Sequence, residues 1–363
     1  MQLSDIEQKA IEARSYNPWN APPLVEGGDI EQENLARRRI SRFVTDSDSP
    51  IYCPTDRLPS AIAGLIAARY SRSPLTMAQI MSREYLKEFE VSDSDQDHQL
   101  DLEKADGLAR RVLAEYGDDS VRELASTTIY FHGVSMIAAK LLEEPRIGVS
   151  PLEKSTRYVP FDGRNTTGQF NYWRDPAIME SQFCDKYLET TDAAFELYAK
   201  TLDPLNEYFS RQSPIETQVF PEPGIADSRV PWPELTEKGQ RAAKRAYAQS
   251  IRAQSFDVAR VLLPASALTN LGLSGNSRAL STLMIKLHAN ELSEAQMLGV
   301  EGTEQLRKTL LPNFWVDIDN HHGQAAMEAQ NGQSQVLKRI ALEAFKNKRP
   351  EDVNLVNLID LSS

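Results

Sequence analysis

Three stretches of this sequence hold residue types that can grip an anion. The first is E-K-S-T-R-Y, residues 153–158. Ser155 and Arg157 alternate, so in an extended chain both point to one face. A hydroxyl beside a guanidinium suits a phosphate, because Arg makes bidentate, charge-assisted contacts. An exposed strand with a surface salt bridge fits the same residues. The second stretch runs from Ala259 to Leu280, A-R-V-L-L-P-A-S-A-L-T-N-L-G-L-S-G-N-S-R-A-L. Arg260 sits on an otherwise apolar helix end before Pro264 and needs a partner, since a buried unpaired charge is expensive. Asn276 and Arg278 open the next helix, where orphan N–H groups and the dipole favour anions. Asn276 serves equally well as a simple N-cap. The third stretch, G-D-D-S-V-R-E-L-A at 117–125, crowds Asp118, Ser120 and Glu123 at a helix-to-strand junction. A capped turn is its simpler reading.

Other candidates are weaker. His321-His322 with Asp317 and Asp319 matches no metal-ligand spacing and reads as a polar loop, so no metal site is expected. His132 reads as a partly buried, satisfied histidine on a strand, and Trp173 as packing. No phosphate loop and no Ser-His-Asp order is present.

The elements that must position these residues are mostly helical. Helices are expected at 59–72, about 76–90, 101–116, 183–210, 238–261, 276–290 and 293–311, with one more near 333–346. Residues 125–132, A-S-T-T-I-Y-F-H, are rich in β-branched and aromatic types and predict a strand. A short helix follows and stops at Pro145. Residues 212–237 are Pro-rich and predict a long excursion. Residues 1–58 read as an extension wrapped on, or loosely tied to, the main body.

The totals bound the function. The chain has 363 residues, 41% hydrophobic and 25% charged, which fits a soluble globular protein. A net charge of −12 argues against a general nucleic-acid footprint. A small anionic substrate remains compatible, because a few local Arg residues outweigh a diffuse surface charge. Two cysteines, Cys53 and Cys184, are too few for a disulfide scaffold or structural zinc. No apolar run is long enough to span a membrane. The first residues lack the apolar core of a signal peptide, so the cytoplasm is the expected compartment.

Taken together and in order, the three stretches resemble the flavin-dependent (alternative) thymidylate synthases. That family has a His-rich turn before a strand. A short helix and the signature R-H-R-x-x-S-x-N-x-x-S-x-R-Y follow, and later A-R-x-x-L-P…T…N-x-R-x-L. Here Ala259-Arg260, Leu263-Pro264, Thr269, Asn276-Ser277-Arg278 and Leu280 match the last element. Glu153, Ser155, Arg157 and Tyr158 match the end of the signature. The resemblance covers roughly 59–312, with an insertion near 210–240 and extensions at 1–58 and 313–363. It implies an α+β fold, a small antiparallel sheet flanked by many helices.

The resemblance also implies an activity. Members bind FAD and deoxyuridylate (dUMP) and methylate the uracil to give dTMP. The carbon comes from methylenetetrahydrofolate, NADPH regenerates the reduced flavin, and no protein nucleophile attacks the ring. The site forms where the subunits of a homotetramer meet. By resemblance, Ser155, Arg157 and Arg260 would hold the nucleotide's phosphate and sugar, and Glu153 would bridge nucleotide and flavin. Asn276 and Arg278 would meet FAD, with Ser120 and Glu123 beside it.

The chain departs from the pattern at several places. Arg-His-Arg is replaced by Glu143-Glu144-Pro145, or by Glu144-Pro145-Arg146 with the gap placed differently; Arg146 is then the cation left for the cofactor. The signature's Asn position is Leu152. The His-rich turn has Asp118 and Leu124. An Arg used against the uracil ring aligns with Leu287, next to His288. Replacing cations by carboxylates beside a diphosphate turns attraction into repulsion, and each such charge pair at ~4 Å is worth roughly 4 kcal/mol at an effective dielectric of about 20. Two functions follow: FAD-dependent one-carbon transfer to a uracil nucleotide, or a repurposed paralogue that binds a nucleotide or serves assembly.

Overall fold

A three-stranded antiparallel sheet organises the chain, in the order β1 (Ser126–Ser135), β5 (Leu268–Asn276), β2 (Val149–Glu153). This computed structural model describes residues 21–49, 51–85, 119–145, 147–309 and 321–346. Ser126 stands opposite Asn276 and Ser135 opposite Leu268, while Val149 faces Gly275 and Glu153 faces Leu271. The register slips between His132 and Val134. There the Gly133 N–H donates to Asn270 Oδ1 at 3.0 Å. Side chains alternate as a half-buried sheet demands. Ile129, Phe131, Val134, Leu271 and Leu273 point into the core, and Tyr130 and Leu152 point out. His132 is exposed on that outer face, not partly buried as expected, because it has the outward parity of Tyr130.

Three helices cover the inner face of the sheet: α4 (Met136–Glu143), α8 (Ser277–His288) and α9 (Ser293–Arg307). A second core joins α1 (Ile30–Ile40), α2 (Ser60–Tyr70) and α3 (Met77–Ile80), the last continuing as a π-helical turn over Met81–Tyr85. Leu24, Ile40 and Phe43 are buried against Leu65, Ile66 and Ile80, so residues 24–44 are wrapped on the body. A third core lies around α6 (Cys184–Gln212), following the one-turn α5 (Pro176–Met179), and its partner α7 (Glu237–Ala259). Phe195, Tyr198, Phe256 and Tyr172 fill it.

Several expected elements differ. The Pro-rich 212–237 segment is not structureless. It holds a two-stranded ribbon, β3 (Val219–Phe220) with β4 (Val230–Pro231), between short 3-10 turns. Helix α10 runs from His321 to Phe345, so His321-His322 lies in a helix and not in a polar loop. The helix expected at 101–116 lies outside the described residues. Among the described residues no helix is long and apolar enough to cross a membrane.

Candidate functional site

Helix α7 carries Asp257 near its end and runs into a 3-10 turn, Arg260–Leu262, ahead of Pro264. A spacing of three residues puts Asp257 and Arg260 side by side. Arg260 NH2 lies 2.9 Å from Asp257 Oδ1. Arg157 arrives from the segment after β2, and its Nε lies 3.3 Å from the same oxygen. The structure thus brings Arg157 and Arg260 together, with an internal carboxylate between them. That oxygen is buried and makes no hydrogen bond of full geometry among the described residues, so the contact is one of charge. Both Arg side chains stay about half exposed, at 55% and 45%. Two cations on one carboxylate leave one net positive charge and most of the N–H donors unspent.

Ser155 does not share an extended face with Arg157. The chain leaves β2 after Glu153 and turns, with Ser155 O accepting from the N–H groups of Tyr158 and Val159. The Ser155 hydroxyl accepts from the Arg157 N–H at 3.2 Å. Hydroxyls of this kind stabilise turns by bonding locally to backbone, and here the turn aims the Arg157 side chain at α7.

Glu153 closes β2 on the core face of the sheet. Burial raises its pKa above the ordinary carboxylate value, and the Glu143 carboxylate adds to the rise. The Thr269 hydroxyl acts the other way, although its buried Oγ1 makes no hydrogen bond of full geometry. A carboxyl so placed is easier to protonate than one in water.

The residues expected to meet a cofactor gather at the other end of β5. Arg278 NH1 is 2.6 Å from Glu123 Oε1, an ion pair across 155 positions. Asn276 caps α8, its Oδ1 accepting from the Ala279 N–H at 2.8 Å. Gly148 makes this fit, with φ +75° and a position where a β-carbon would lie 2.6 Å from Asn276 Nδ2. Ser120 belongs to the 3-10 turn Asp119–Glu123 that carries Glu123. Arg146 lies outside the described residues. Eight residue steps of ~3.3 Å separate the two ends of β5, roughly 26 Å. Within one chain, therefore, Arg157 and Arg260 do not meet Asn276 and Arg278.

His288 is apart from the Asn276–Arg278 group. It ends α8, about 15 Å along the axis from Arg278 at 1.5 Å per residue. Its Nε2 lies 3.3 Å from Thr303 Oγ1 on α9. Close by, a cavity of about 700 Å³ lies between α4, α8 and α10, and Glu144, Lys286, Asn290 and Lys338 contribute polar groups to its lining. Trp173 Nε1 donates to Asp175 Oδ2 at 3.4 Å and its carbonyl accepts from Tyr187 Oη at 2.5 Å.

Sequence reasoning missed Asp257, although its spacing from Arg260 was the signal. It also missed Glu294, which sits buried at the start of α9 and accepts from the Ser135 N–H at 2.7 Å and the Ser135 hydroxyl at 2.5 Å. Desolvation raises the Glu294 pKa against the pull of those two bonds.

The family model described as thymidylate synthase complementing protein matches residues 65–310. A UPF0159 protein of Chlamydia muridarum is 36% identical over 93% of this chain and 59% of its own length. One of Chlamydia pneumoniae is 37% identical over 91% and 58%. One of Thermoplasma acidophilum is 31% identical over 82% and 58%. The chain thus spans a little under three-fifths of the curated relatives it matches. A solved structure, the UMP/dUMP methylase PolB from Streptomyces cacaoi bound with 5-Br UMP, is 16% identical. The match covers 63% of this chain and 84% of that one, with a TM-score of 0.34. With its helices packed on a small antiparallel sheet and the family model matched over residues 65–310, more than half of its length, the chain belongs to the thymidylate synthase complementing protein family.

Proposed function

We propose that the chain binds a uracil nucleotide such as dUMP and takes part in adding one carbon to its base. The observation that carries this is the convergence of Arg157 and Arg260 on one point, Asp257 Oδ1. In this reading the nucleotide phosphate shares or takes the place of that carboxylate between the two guanidinium groups. Arg is suited to this, since its planar fork matches a phosphate bidentately. The Ser155 turn holds Arg157 toward the phosphate. Glu153, with its raised pKa, presents a carboxyl that can keep or give a proton beside the base or sugar.

A flavin diphosphate would need cations or open N–H groups. At the far end of β5 Arg278 is already paired with Glu123, and the Asn276 side chain is spent on a cap. The end of α4 contributes the carboxylates of Glu143 and Glu144 where the family pattern has cations. The described residues of one chain do not fit that group, and no step is routed through it. FAD-dependent transfer from methylenetetrahydrofolate, with NADPH as reductant, therefore rests on a second copy completing the site, as in a homotetramer. The same Glu123–Arg278 pair favours a second reading, a nucleotide-binding paralogue without thymidylate synthase activity.

Titration of dUMP into the purified chain tests the proposal. Arg157→Ala and Arg260→Ala are each expected to weaken binding at least tenfold. Absence of saturable dUMP binding by the unaltered chain overturns the reading. A visible flavin spectrum after incubation with FAD selects the catalytic form, and a colourless protein selects the paralogue.

A further inference from the structure

Helix α7 carries five Lys and Arg residues against two acids, in a chain whose net charge is −12. Arg245 and Arg252 stand seven residues apart, two helical turns, on one face of it. With Arg157, Tyr158, Gln249 and Phe256 they line a cleft of about 400 Å³. Among the described residues no carboxylate lines this cleft, and Asp257 reaches it only through its pair with Arg157 at the edge. Among the described residues neither Arg245 nor Arg252 enters an ion pair. The Arg252 guanidinium lies 5.7 Å from the centre of the Phe256 ring. Arg245 and Arg252 repel one another across a concave surface and, with the partly compensated Arg157 at its edge, concentrate a positive potential inside it. An anion relieves that repulsion and gains bidentate contacts.

The size narrows the class of ligand. Small-molecule sites occupy about 300–1,000 Å³, which suits one phosphorylated molecule better than the broad, flat face of a protein partner. A polynucleotide would meet the acidic remainder of the chain along its length. We propose that this cleft binds the phosphate or diphosphate group of a small molecule, held by Arg245 and Arg252 with Arg157 at its edge. This goes beyond the nucleotide grip at Arg157 and Arg260 and shares only Arg157 with it.

Inorganic pyrophosphate, titrated calorimetrically into the full chain at low salt, is the probe. The unaltered chain is expected to bind it saturably. An Arg245→Gln/Arg252→Gln double variant is expected to bind it at least tenfold more weakly while holding dUMP within twofold. Arg260→Gln is expected to do the reverse. The single variants, each expected to lose about fivefold, carry the test if the double variant's circular dichroism shows it unfolded. Unchanged pyrophosphate affinity in the Arg245 and Arg252 variants overturns the inference. A chain that binds dUMP but not pyrophosphate also overturns it, and leaves the nucleotide reading standing.

Discussion

Arg157 Nε lies 3.3 Å from Oδ1 of Asp257, a hundred positions away in sequence and on a different element. The same oxygen is the partner of Arg260. An acid of the protein therefore occupies the meeting point of two cations, and in the proposed reading an incoming nucleotide phosphate competes with it there. Asp257→Asn is expected to tighten dUMP binding about two- to fivefold, because ion pairs this exposed are worth ~0.2–1 kcal/mol. Titration at two salt concentrations checks this. Weaker binding by the variant would show that Asp257 aligns the arginines and does not compete.

Gly299 marks a close approach of α9 to the backbone of α8. A β-carbon there would lie 2.9 Å from the backbone N of His288 and 3.1 Å from its Cδ2. Backbone cannot swing aside as a flexible side chain can. Gly299→Ala is expected to destabilise the chain by about 1–3 kcal/mol, the range for overpacking. A urea midpoint that moves by nothing, or upward, would contradict the packing described.

Asn276 has a structural duty that can be weighed separately from any ligand. Removing the cap with Asn276→Ala is expected to cost about 1 kcal/mol. Asn276→Asp keeps an acceptor for the Ala279 N–H and is expected to restore most of it. Denaturant unfolding of the two variants, without ligand, distinguishes the cap from a binding role.

Glu294 predicts a pH dependence of known sign. Its folded pKa is raised by desolvation, so the native state binds its proton more tightly than the unfolded chain does. Its contribution is then most favourable at low pH and is lost as pH climbs from the ordinary carboxylate range through the folded value. Asp175 runs the opposite way. Its pKa is lowered, first by the Ser293 hydroxyl, so its contribution is lost as pH falls. Glu294→Gln should remove only the first trend. Midpoints measured from pH 4.5 to 8 should show the unaltered chain losing ground to the variant as pH rises.

Long amphipathic helices were legible in the sequence because their period survives averaging. Cys184–Gln212 and Glu237–Ala259 lie within two residues of the ends expected for them. The central strand was not read, although Leu271 and Leu273 alternate with Asn270 and Ser274. Gly272, Gly275 and two Asn give it the composition of a loop, and its pairing on both sides overrides that propensity. At the site, the residue types were legible and their partners were not. The Arg260 partner is local and could have been found by spacing. The Arg157 partner depends on a turn after β2 that breaks the expected strand, and the Glu123–Arg278 pair closes only once β1 and β5 align.

The length of β5 has a consequence for genetics. A ligand the size of one nucleotide cannot touch both termini of a nine-residue strand in a single copy. If neighbouring copies supply opposite termini, a subunit crippled at Arg260 and another crippled at Arg278 each bring what the other lacks. Co-expressed, two individually inactive alleles would rescue one another.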